Sequence, residues 1–198
     1  MQSNSMMKAV LAVVLCISMA ATGCTAQWIS VALADLPVLT QMALNIATLA
    51  VTLQSGKQLN PADAAAIQSI SAEAGKDLNL LQTLYNQYEA NPSITTLQEI
   101  SNVISTTNTN LPGLLTAAHI SDPVLAARIT AAVSLILATV QSFAALIPQT
   151  APATSQTVSA QTIAVPKAKD LKKRWNEQVC APTGNAALDS AFAACALR

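Results

Sequence analysis

Charge is what this chain has least of. Asp, Glu, Lys and Arg make up 10% of the 198 residues, against about 25% in an ordinary soluble domain. Ten basic and ten acidic groups cancel, so no global field would gather nucleic acid or an acidic substrate. Histidine occurs once, as His119, which removes the usual base of a nucleophilic triad and any two-histidine zinc site. No Gly-x-Ser-x-Gly elbow surrounds a serine, and Ser55-Gly56-Lys57 lacks the upstream glycine of a phosphate loop. Aromatic residues are only 3%, so the large apolar fraction is mostly Ala, Leu, Ile and Val.

That apolar fraction is 52%. Ala and Leu favour helix, and the short runs of Val, Ile and Thr do not alternate with the two-residue period of a strand. An all-α fold is expected. Ile129–Ile147 organises it, because the stretch has no ionisable side chain. Wound as a helix, it shows small or apolar groups on every side, interrupted only by Thr130, Ser134, Thr139, Gln141 and Ser142. Such a helix is expected to be surrounded by sibling helices or by lipid.

The amino terminus reads as an address. Lys8 precedes the apolar run Ala9–Ala20, which has the length of a signal-peptide core and is short for a bilayer span. The run closes on Ala21-Thr22-Gly23-Cys24. This segment resembles the lipobox of bacterial lipoproteins, with Ala at position 21 where Leu is commoner. The resemblance covers the signal segment alone. It implies removal of residues 1–23, acylation of Cys24, and a membrane partner reached through that lipid. The absence of Asp directly after Cys24 further implies, by the same resemblance, sorting to the outer membrane.

Residues 24–147 are expected to form an antiparallel bundle of about four main helices. The first runs from Trp28 to about Ser55, kinked at Pro37 or starting at Leu36, and is terminated by Gly56. Asn60-Pro61-Ala62-Asp63 is a strong start for a second helix reaching about Ala90. It carries Ile67, Ile70, Ala74, Leu78, Leu81, Leu84 and Tyr88 on one stripe. Ser93 caps a third helix, expected to fail at Thr106–Asn110 and turn at Leu111-Pro112-Gly113 before a short piece at 114–119. Ser121-Asp122-Pro123 opens the fourth helix, the long apolar one, at the bundle's centre.

Residues 148–166 switch to Pro, Thr, Ser, Gln and Ala and read as a linker. Residues 167–198 read as a basic helical hairpin. Leu171, Trp175 and Val179 share one face, and Leu188, Ala191, Phe192 and Cys195 form a matching one. Lys167, Lys169, Lys172, Lys173 and Arg174 crowd its first helix, diluted by Asp170 and Glu177. The plain reading is a solvated face, and a membrane surface is the partner that suits it best. Cysteine counting pairs Cys180 with Cys195 in an exported protein, since Cys16 leaves with the signal and Cys24 takes the lipid.

No residues offer a nucleophile, a base and an orienting group together, so a non-enzymatic protein without catalytic, cofactor or metal residues is expected. Glu73 and Asp77 share a helix face, but Lys76 beside them marks a surface charge cluster. Tyr85 and Tyr88 are expected to pack rather than bind. The favoured reading is a lipid-anchored cell-envelope bundle that scaffolds or binds, with a protein partner or second copy. The competing readings are a membrane-inserting or self-assembling protein and a carrier of a hydrophobic ligand.

Overall fold

A computed structural model describes residues 3–147 and 166–198, with side chains from residue 28 to 147 and from 166 onwards. The expected signal segment, Cys24 and residues 148–165 of the expected linker therefore lie outside the described side chains. Among the described residues six helices run in order: α1 (Ser3–Ser55), α2 (Pro61–Ala90), α3 (Ile94–Ala117), α4 (Pro123–Leu146), α5 (Ala168–Gln178) and α6 (Ala186–Ala194). No strand occurs among the described residues.

Spacing in α1 sets the core. Leu36, Leu39, Met42, Ile46, Leu49 and Leu53 recur at three- and four-residue steps and are all buried, as one face of a helix requires. Pro37 sits inside α1 on its exposed side and does not end it. The helix ends instead in a left-handed cap. The Gln58 N–H reaches the Leu53 carbonyl at 2.9 Å, and Lys57, not Gly56, takes the positive φ of 58°. A side chain there is strained. Lys57→Gly should therefore raise stability by about 0.5–1 kcal/mol in urea denaturation.

Named contacts give the helix directions. Ser71 in α2 donates to the Ala43 carbonyl of α1. Trp28 meets Tyr85 and Tyr88, with ring centroids 5.6 and 5.8 Å apart. Residues early in α1 thus face residues late in α2, and the pair is antiparallel. In α3, Thr107 bonds Asp77 and Asn110 bonds Glu73, so α3 runs against α2. The Asp63 carboxylate accepts from the Ser121 N–H at 2.9 Å, while Tyr85 packs edge-on to Phe143 at 6.1 Å. That sets α4 parallel to α2. Asn60 and Asp122 cap α2 and α4, each accepting the N–H three residues on.

Two expectations change here. α3 is continuous from Ile94 to Ala117 and carries Pro112 within it. Thr107 explains why: it is fully buried, and its hydroxyl lies between Asp77 Oδ2 at 2.9 Å and the Val103 carbonyl at 2.8 Å. Tertiary packing overrides the poor helix propensity of the Thr-Asn run. The second change concerns α4, which is not encircled. Leu125, Ile129, Val133, Ile136, Val140 and Phe143 are buried, but Ala127, Thr130, Ser134, Ala138, Gln141 and Ala145 form an exposed stripe. Small side chains with scattered hydroxyls and one amide are uncharged without being oily, so water tolerates that stripe.

α5 and α6 close onto the bundle rather than standing apart. Leu171, Trp175, Val179, Leu188, Ala191 and Phe192 are buried in the same apolar cluster as α1 and α4. The turn between the two helices is tied by Asp189, which accepts the Thr183 N–H at 2.6 Å and the Thr183 hydroxyl at 2.7 Å. Gly184 in that turn has φ 84°, a conformation that suits glycine. Asn176 clamps the chain end, exchanging two 2.8 Å bonds with the backbone of Leu197. The expected staple is not formed in this structure: Cys180 and Cys195 are both free thiols. Cys195 directs its sulfur to the Asn45 carbonyl of α1, 3.6 Å away, and hydrogen bonds hold the hairpin instead.

Candidate functional site

The polar groups that matter lie along the seam where α5 and α6 meet α1 and α4. Asn45 on α1 donates to the Cys195 carbonyl at 2.8 Å. The Trp175 indole N–H reaches the same oxygen at 2.9 Å. One carbonyl thereby joins α1, α5 and the end of α6. On the other side Arg128, early in α4, donates to the Gln178 carbonyl at the end of α5 and to the Ala181 carbonyl just past it. Those carbonyls close the helix's negative end, where a guanidinium is favourable.

The positive end of α5 is closed differently. Its own N-cap, Lys167, makes no side-chain bond. The Ala168 N–H is given instead to Asp35 of α1. Asp35 is 2% exposed, and its Oδ2 has no hydrogen-bond partner. Burial pushes this carboxyl up to about 6, the Ala168 N–H opposing it. A buried carboxylate from another helix thus does the work of a missing cap.

A second buried acid joins α2 to α3. Asp77 is 4% exposed; burial raises its pKa, the Thr107 hydroxyl lowers it, and Glu73 raises it while Lys76 lowers it. Glu73 is occupied by Lys76 at 3.1 Å and by Asn110 at 3.3 Å. The two carboxylates are therefore parts of helix packing. Tyr85 and Tyr88 belong to the aromatic cluster with Trp28 and Phe143. The Tyr85 hydroxyl and the Trp28 indole N–H have no partner there, and burial raises the Tyr85 pKa.

No family model, curated protein or solved structure matches the chain.

The remaining expected sites are placed as follows. His119 is exposed in the turn before α4, with φ 42°. Cys180 is half-buried, and burial together with the neighbouring Cys195 thiol pushes it up to about 11; burial raises Cys195 as well. Neither is a thiolate near neutrality. The basic cluster is dispersed by its own partners. Lys172 donates to the Arg198 carbonyl at 2.7 Å, and Lys173 lies 3.8 Å from Glu177 in an exposed pair. Lys167 and Lys169 are exposed, while Arg174 is half-buried. Among the described residues no three His, Cys, Asp or Glu side chains are grouped to hold a metal ion. An open groove of about 480 Å³ follows the seam, lined by Pro37, Val38, Gln41, Asn45, Lys172 and Leu197 among others.

Sequence reasoning missed Asp35, Asn45 and Arg128. For Asp35 a signal existed. It is the only charged residue between Lys8 and Lys57, and a lone acid in so long an uncharged stretch has a specific reason to be there.

Proposed function

We propose that the chain is an exported, lipid-anchored helical bundle of a bacterial cell envelope, serving as a scaffolding or binding module without catalysis. The observation that carries this reading is the order Lys8, Ala9–Ala20, Ala21-Thr22-Gly23-Cys24 placed directly ahead of the buried Trp28. An acylated Cys24 four residues before Trp28 would hold the bundle close against a membrane surface. One acyl chain alone binds weakly, whereas a diacylglycerol supplies the two chains that stable anchoring needs. A non-enzymatic role is supported by the work the polar residues already do. Asp77, Glu73, Asn45 and Arg128 bridge helices, and the thiols are held protonated.

Membrane insertion is the rival reading. Trp28–Ser55 and Pro123–Leu146 are long and apolar enough to cross a bilayer, with 50% and 44% of their apolar windows buried in the bundle. The outward side of α4 argues against lipid contact. Its exposed residues include Thr130, Ser134 and Gln141, while Leu125, Ile129, Val133, Ile136, Val140 and Phe143 are buried and Val124 near its start is exposed. A helix facing lipid would place the polar groups inside.

In this reading Cys180 and Cys195 close a disulfide after export, once Cys195 gives up its contact with Asn45, by exchange with an oxidised dithiol of the compartment that takes up the two electrons and both thiol protons. The bundle is tested by expressing the chain from residue 25, without signal or Cys24. It should stay in the supernatant after carbonate treatment of membranes. Retention in lipid would favour the insertion reading.

A further inference from the structure

Asp35 occupies an unusual position for an acid. It is shut from water between α1 and the start of α5, with one oxygen accepting the Ala168 N–H and the other unpartnered. Among the described residues no cation is paired with it. The ionisable groups at the start of α5 are the cap residue Lys167 and, on the helix, Lys169, Asp170 and Lys172; burial and the Ala168 N–H are the influences on Asp35. α4 carries no ionisable side chain between Ile129 and Leu146. On α2, Glu73 and Asp77 are engaged by α3. On α6, Asp189 is engaged by Thr183, and past that helix the Arg198 carbonyl is engaged by Lys172.

An ionised carboxylate without a counter-charge is costly to enclose, whereas a neutral carboxyl is cheaper. The partner that the described residues give Asp35 is Ala168 at the start of α5, so lifting α5 from α1 would return the carboxyl to water. We propose that Asp35 is a proton-operated latch: the α5–α6 pair is held more firmly on the bundle with Asp35 protonated than with it ionised.

The sign follows from linkage. The carboxyl titrates near 6 when enclosed and near 3.8 when free, so the stabilisation is complete below about pH 4 and is lost as pH rises through 6. Applied to those two values, linkage makes α5 open about tenfold more often at about pH 7.5 than at about pH 5. This inference is independent of lipid anchoring. Where the protein is anchored, it makes exposure of the seam in α1 and α4 responsive to mild acid.

Hydrogen exchange of the α5 amides in the full chain, corrected for intrinsic rates, tests the latch. The wild type should open about tenfold more at the higher pH, and Asp35→Asn, a neutral isostere, should abolish the difference. Equal pH dependence in the two proteins, or none in the wild type, would overturn the proposal. A carboxyl-carbon NMR titration of wild-type Asp35 needs no variant. A midpoint near 6 supports the latch, and one near 4 sinks it.

Discussion

Trp175→Ala is expected to destabilise the protein by about 3–5 kcal/mol in urea denaturation, the range for removing a large buried aromatic. Trp175 is 1% exposed. It fills the space where α5, α6 and the bundle meet, and its indole N–H holds the Cys195 carbonyl at 2.9 Å. Truncation leaves a cavity and removes one of the two donors to that oxygen, Asn45 being the other. The loss should be concentrated in α5 and α6, whose amides should exchange faster than those of α2. A cost below about 1 kcal/mol, the range of an ordinary surface change, would mean that the C-terminal pair is not packed as described.

The second large effect compares two lysines placed two residues apart on α4. Ile136 is fully buried and Ala138 is exposed. Ile136→Lys should cost more than about 4 kcal/mol or prevent folding, because it buries an unpaired charge. Ala138→Lys should stay within about 0.5 kcal/mol, as surface changes do. Were the outer stripe of α4 set in lipid, Ala138→Lys would instead cost about 2.5–3.5 kcal/mol and loosen membrane retention. The contrast therefore tests both the rotation of α4 and its solvent.

Features governed by local chemistry were legible in the sequence. Asn60-Pro61 and Asp122-Pro123 open α2 and α4 because cap and first turn are settled within four residues. The stripes Leu171-Trp175-Val179 and Leu188-Ala191-Phe192 are buried on the faces their spacing implied. What could not be read depends on partners far along the chain. Thr107 stabilises α3 through Asp77, thirty residues earlier. Lys57 takes the left-handed position although a glycine stands beside it, since the cap geometry and not residue preference chose the place. Beyond Arg128, α4 carries no charge, yet absence of charge does not separate a Leu from an exposed Ala or Ser. Asp35 was visible as a lone acid, but its partner, the Ala168 N–H, is a backbone group that no side-chain pattern marks.

Intact-mass analysis of the protein purified from membranes tests lipid anchoring most directly. The account predicts a chain that begins at Cys24 and carries a diacylglycerol on its sulfur. An unmodified Cys24, in a chain cleaved elsewhere or not at all, would contradict it.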